Sequence, residues 1–127
     1  MFRRKGRRNK LGAKKVTVDG HKFPSKLEAA VYVMLKRKFD SGLLLGIELQ
    51  DKVYLTDAKI LFKPDFKVTA LDGTFFWVEA KGMELPVYAI KKRLWKVYGP
   101  GDLHVYKGSY TNPKLSEVVK GPNQSQT

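Results

Sequence analysis

Two strand-forming runs, Ile60 to Ala70 and Thr74 to Ala80, are rich in Val, Phe, Ile and Trp and are separated only by Leu71-Asp72-Gly73. Residues of these types suit a pleated, half-buried surface, and so short a polar break between them predicts an antiparallel hairpin. Strand side chains alternate faces, so Glu79 and Lys81 at the end of the second run point the same way as Trp77. Whether Asp65 joins them depends on the turn. A two-residue loop pairs Asp65 with Ala80, whereas a three-residue loop over Leu71, Asp72 and Gly73 pairs it with Glu79. The sequence permits the second, because glycine is favoured at the left-handed third position of such a loop.

Around this hairpin the pattern alternates between strand and helix. Val16 to Val18, Asp19-Gly20 and His21 to Phe23 read as a short hairpin with a tight turn. Ser25 is a good N-cap with Glu28 three residues on. Leu27, Ala30, Val31, Met34 and Leu35 recur at helical spacing until the break at Asp40 to Gly42. Leu43 to Leu55, interrupted at Gln50-Asp51, predicts one or two short strands. Pro86 suits a helix start, with Val87 to Tyr98 forming that helix, and Leu103 to Tyr106 a short final strand. A weak turn or helix is expected near Leu115 to Val119.

Composition narrows the function classes. At 127 residues one domain is expected, covering residues 16–120. No apolar run approaches the roughly 18 residues that span a bilayer, and the charged N-terminus lacks the apolar stretch of a secretory signal, so a soluble, cytoplasmic protein without membrane contacts is expected. The absence of cysteine removes disulfides, thiolate metal sites and thiol nucleophiles. Any metal must then be held by oxygen or by His21 and His104, each isolated and better read as a packing or surface residue. Lys and Arg number 25 against 12 acidic residues, a net charge of +13, which points to a polyanionic partner such as nucleic acid.

The excess is uneven. Arg3, Arg4, Lys5, Arg7, Arg8, Lys10, Lys14 and Lys15 fill the first fifteen residues with no acid among them. This predicts a disordered, DNA-binding arm over residues 1–15 that engages phosphates without reading sequence. The polar segment 121–127 is expected to fray as a disordered tail. Lys91, Lys92, Arg93 and Lys96 on the second helix suit either a solvated face or a duplex arm. Trp77, Trp95 and Tyr98 read as core.

If the hairpin takes the three-residue loop, Asp65 and Glu79 meet beside Lys81, and two such carboxylates repel unless a divalent cation lies between them. Magnesium prefers oxygen ligands, keeps several waters and accepts a phosphate oxygen, so phosphodiester hydrolysis is the matching chemistry. The bland readings are a capping box for Ser25 and Glu28, a turn for Pro64-Asp65 and an exposed ladder for Glu79 and Lys81. Flanking Phe, Trp and Val residues favour a partly buried site instead, where an unpaired carboxylate is costly.

Glu28 on an early helix, Pro64-Asp65, and Glu79-Ala80-Lys81 together resemble the PD(D/E)XK nuclease superfamily. Short length and the segment Asp19-Gly20-His21-Lys22-Phe23-Pro24-Ser25-Lys26-Leu27-Glu28-Ala29 look like phage-encoded relatives of archaeal-type Holliday junction resolvases. The resemblance covers about residues 16 to 106. It implies an α/β, restriction-endonuclease-like domain with a central mixed sheet flanked by helices, acting as a homodimer on branched DNA. It implies magnesium, with manganese able to substitute, no small-molecule cofactor, and paired nicks across a four-way junction in a bacterial host cell. Glu28, Asp65 and Glu79 would be catalytic metal ligands, with the Ala80 carbonyl a further ligand and Lys81 the catalytic lysine. Gln50 is an accessory candidate, and Ser25 and Lys26 would touch the DNA backbone. A different PD(D/E)XK nuclease, of restriction or transposition type, and a non-catalytic nucleic-acid-binding protein are the competing readings. The small size leaves little room for a module that reads base sequence.

Overall fold

The computed structural model describes residues 15–122. Apart from Lys15, Gly121 and Pro122, the basic arm and the C-terminal tail expected from the sequence lie outside the described residues.

The chain opens with β1 (Val16–Val18) and β2 (His21–Phe23), joined through Asp19 and Gly20 at φ 52° and 80°. Both central turn residues are left-handed, as the Asp-Gly pair predicts. Helix α1 (Lys26–Asp40) begins at Ser25, whose hydroxyl accepts the Glu28 N–H at 3.1 Å, and gives way at Gly42, φ 82°. Its buried face is Glu28, Ala29, Val31, Tyr32 and Leu35. That face is rotated from the expected stripe, leaving Leu27, Ala30 and Met34 only partly buried at its margin. The rotation puts a carboxylate on the core side of the helix.

Strands β3 (Leu44–Leu49), β6 (Phe66–Ala70), β7 (Phe75–Ala80), β8 (Asp102–Ser109) and β9 (Asn112–Val119) form one sheet in the order β3-β6-β7-β8-β9. All neighbours are antiparallel except β7 and β8, which run parallel and are connected by α2 (Pro86–Tyr98). The sheet is therefore mixed, and the domain is α/β with helices flanking a central sheet, as expected. A separate two-stranded unit pairs β4 (Val53–Leu55) with β5 (Ile60–Phe62).

Two apolar clusters lie on the two sides of this sheet. Phe23, Val31, Leu35, Phe66, Val68 and Val78 pack with α1 and the first hairpin. Val53, Phe62, Trp77, Trp95, Leu103 and Val105 pack with α2 and the β4–β5 unit. Alternation along β7 accounts for the division, with Val78 facing α1 and Trp77 facing α2. Trp95 is fully buried, donates to the Gly101 carbonyl at 2.8 Å, and packs edge-on against Trp77.

Four sequence expectations are corrected. The run Ile60 to Ala70 is two strands, because Lys63-Pro64-Asp65 interrupts it and β5 turns away to pair with β4. The final strand is longer than Leu103 to Tyr106. Residues 115–119 are not a turn or helix but part of β9, folded back on β8 through a hairpin with Gly108 at φ 101°. Gly121, expected to begin a fraying tail, is buried and donates to the Gly101 carbonyl at 3.1 Å. A Cβ there would stand 2.5 Å from the Gly99 carbonyl oxygen, so only glycine fits.

Candidate active site

The β6–β7 hairpin decides the site. Phe66 pairs with Val78 and Thr69 with Phe75, while Ala70 N–H donates to the Thr74 carbonyl, leaving Leu71, Asp72 and Gly73 as a three-residue loop with Gly73 at φ 87°. Extended by one residue, this register sets Asp65 opposite Glu79. Two contacts tie Asp65 to the end of β7: Asp65 N–H donates to Glu79 Oε1 at 3.0 Å, and Ala80 N–H donates to Asp65 Oδ2 at 2.8 Å. Fully buried Pro64 precedes Asp65, and the Asp65 carbonyl accepts the Gln50 N–H at 2.8 Å, so the break between β5 and β6 is clamped on both sides.

Lys81 follows directly. Its N–H donates to the Tyr106 carbonyl at 2.9 Å, continuing the parallel ladder of β7 and β8, and its Nζ lies 3.3 Å from Glu79 Oε2. The ammonium also stands 4.3 Å above the ring centroid of Tyr88 on α2. Glu28 reaches the same place from α1. Its backbone N–H serves the Ser25 cap, whereas its carboxyl is within hydrogen-bonding reach of Asp65. The capping-box reading therefore holds for the backbone and not for the side chain.

Burial controls the electrostatics. Glu28 and Glu79 are 6% and 5% exposed and are the buried charged residues among those described. Loss of solvent, followed by the negative charge of Asp65, pushes Glu79 up to about 8. Loss of solvent also raises Glu28 to about 7, the Asp65 hydrogen bond opposing and the Glu79 charge adding. Asp65 is raised well above its usual range by burial and then by the Glu28 charge. The facing Glu28 and Asp65 carboxyls resist carrying two negative charges at once. Three carboxyls thus crowd one ammonium, and without further positive charge they cannot all ionise near neutrality.

Among the described residues, no three His, Asp or Glu side chains form a ready-made metal cage. Glu79 turns its oxygens to the Asp65 N–H and to Lys81, which leaves Glu28 and Asp65 as the facing pair. The donor set is nevertheless chemically suited to a hard divalent cation. It is all oxygen, it carries uncompensated negative charge when ionised, and magnesium needs only one or two protein carboxylates beside its waters.

The remaining candidates disperse. Gln50 is exposed at the end of β3, φ 53°, touching Asp65 through its backbone. The Ser25 hydroxyl is engaged as the helix cap, and the Lys26 ammonium lies 4.8 Å over the Tyr110 ring. Lys15 is exposed; Arg3, Arg4, Lys5, Arg7, Arg8, Lys10 and Lys14 lie outside the described residues. His21 packs edge-on to Tyr32, and His104 stacks on Phe76 at 4.5 Å, burial holding its imidazole below the usual range. Lys92 is no solvated residue: it bridges Glu84 at 3.2 Å and Glu117 at 2.8 Å. Sequence reasoning missed Tyr88, which is 6% exposed, lies under Lys81 and has a buried hydroxyl with no hydrogen-bond partner. Its seven-residue spacing from Trp95 marks a core-facing helix position and gives no sign of a polar neighbour.

A family profile described as "Protein of unknown function (DUF1064)" matches residues 8–126. No curated protein and no solved structure matches the chain.

Proposed function

We propose that this chain, which belongs to the DUF1064 family, is a metal-dependent DNA endonuclease that resolves four-way junctions by paired phosphodiester hydrolysis. The observation that carries the reading is the register placing Asp65 against Glu79, with Glu28 reaching the pair from α1 and Lys81 beside it. Buried, mutually repelling carboxylates beside one lysine are costly as structure and useful as a cation site, and such perturbed clusters concentrate at functional centres. The excess of 25 basic over 12 acidic residues suits a polyanionic substrate.

In this reading Glu28 and Asp65 hold magnesium or manganese, Glu79 and the Ala80 carbonyl contribute further oxygen, and no small-molecule cofactor takes part. When bound, the cation polarises the phosphodiester and makes the attacking water more acidic. The chain's own groups do the rest. Burial of Glu28 and Glu79 keeps bulk solvent from weakening their charges, and the clamped backbone of Asp65 fixes its carboxyl without reorganisation during the reaction. Lys81, held over Tyr88 and next to Glu79, neutralises the charge that grows on the phosphate oxygens as water adds and the bond to the leaving oxygen breaks. Symmetric nicks require two such centres, hence a homodimer on branched DNA. The setting proposed is a cytoplasm, that of a bacterial host if the protein is phage-encoded; no helix among the described residues is long and apolar enough to cross a membrane.

The test is incubation of the protein with labelled four-way junction and matched linear duplex, in magnesium or in EDTA, beside Glu79→Ala and Asp65→Ala. Expected are symmetric, magnesium-dependent nicks on the junction, lost in both variants while DNA binding persists. Equal cutting of duplex would replace the resolvase reading with that of a general nuclease. Tight binding with no cutting by the wild type would replace it with a non-catalytic binding protein.

A further inference from the structure

A cleft of about 420 Å³ opens beside Lys81, within the range of roughly 300–1,000 Å³ typical of small-ligand pockets. Its lining comes from the chain segments that flank the site. Leu61, Phe62 and Lys63 lead into Pro64 and Asp65, and Lys81, Met83, Leu85 and Val87 follow Glu79. Anything seated in the cleft therefore lies next to the bond that the neighbouring centre would cut.

The lining is mixed in an informative way. Met83, Leu85 and Val87 are 58%, 44% and 62% exposed, an apolar cluster at one end of α2. Such a cluster on a basic protein invites a flat apolar occupant. The border is cationic: Lys63, Lys81 and Lys91 all line the cleft, and neither Lys63 nor Lys91 has an acidic partner among the described residues. Tyr88 also lines it, and its buried hydroxyl lacks a hydrogen-bond partner. Apolar side chains and unpaired lysines lining one cleft match one chemical unit, a nucleobase carried between phosphates. A lipid chain or an apolar peptide would leave the lysines unanswered.

We propose that this cleft, between the end of β5 and the start of α2, binds an unstacked base of the strand being cut, its flanking phosphates held by Lys63 and Lys91. The inference rests on the nuclease reading for the identity of the strand. It would make the enzyme select DNA whose bases are already free to leave the stack, as at a branch point, since extruding a paired base costs energy that an unpaired one does not. Selection by structure then needs no reading of base edges.

The test compares two gapped duplexes of equal phosphate charge, one with four unpaired thymidines in the gap and one with four tetrahydrofuran abasic units. Affinities are measured by competition anisotropy in EDTA. The wild type should prefer the thymidine gap by about tenfold, the scale of stacking one base on a protein surface. Val87→Glu and Leu85→Glu, both at exposed positions and each checked by thermal melting, should bring the preference close to one. Equal affinity of the wild type for the two DNAs, or a preference that survives in both folded variants, would overturn the proposal. Cutting of the same DNAs in magnesium is scored separately. Cutting without base preference removes the cleft alone, whereas base preference without cutting removes the nuclease reading and supports the cleft as a base-binding site.

Discussion

At the scale of single residues, Glu28, Asp65 and Glu79 are groups whose burial works against their ionised forms. Their folded pKa values stand above the ordinary ones, Glu28 at about 7 and Glu79 at about 8 against 4.5 for both. A carboxyl raised in this sense contributes stability that is fully present below its unfolded pKa and is lost as pH rises through the folded value. The metal-free protein should therefore melt at a higher temperature near pH 5 than near pH 8.5, the loss falling mainly between about 4.5 and 8. Glu79→Gln should flatten that dependence, and magnesium or manganese should restore much of the lost stability at the alkaline end by binding the ionised carboxylates. Melting that is insensitive to pH and metal would contradict the electrostatics of the site. The sequence made these residues visible through their types and order. It could not expose Tyr88, because a tyrosine on an apolar helix stripe reads as core until the strand end carrying Lys81 is brought over its ring.

At the scale of elements, the site depends on one loop. Because strand side chains alternate, a shift of one residue between β6 and β7 would move Asp65 from Glu79 to Ala80 and turn the whole strand over. Gly73, at φ 87°, sets that register, and a β-branched side chain in this conformation is strained by about 1–2 kcal/mol. Gly73→Val should lower unfolding stability by that amount, while Gly73→Asn, which tolerates the left-handed region, should cost clearly less. Chemical denaturation of the two variants checks it, and equal costs would show that side-chain bulk, not φ, matters there. This register was readable in advance because loop length and glycine position are local. The division of β5 from β6 was not, because Ile60, Leu61 and Phe62 have the same strand-favouring character whether they pair with β4 or extend β6. Only packing of Phe62 into the cluster around Trp95 separates the cases. Strand β9 was hidden for a related reason. Its Leu115 and Val118 are exposed, so alternation is weak, and a register shift opposite Val105 and Tyr106 breaks what remains.

At the scale of the whole molecule, charge is spread unevenly along the chain, with residues 1–15 standing apart from the rest. All 12 acidic residues lie beyond residue 15, and several are already matched inside the domain: Glu84 and Glu117 by Lys92, Glu84 by Lys107, and Asp40 by Lys36. The first fifteen residues carry eight basic side chains and no acid, so they supply most of the net +13. In the function proposed above, phosphate contacts made there would raise affinity for any DNA by releasing counterions, with a salt slope of about 0.9 per phosphate contacted, and would carry no information about structure. Deleting residues 2–15 should therefore weaken binding to junction and to duplex by the same factor, and should flatten the dependence of log affinity on log salt for both. Cutting at saturating protein should persist, since Glu28, Asp65, Glu79 and Lys81 are positioned by α1 and the β6–β7 hairpin. An unchanged salt slope would refute a DNA-binding role for the arm. A loss confined to the junction would instead make the arm part of the discrimination assigned above to the cleft.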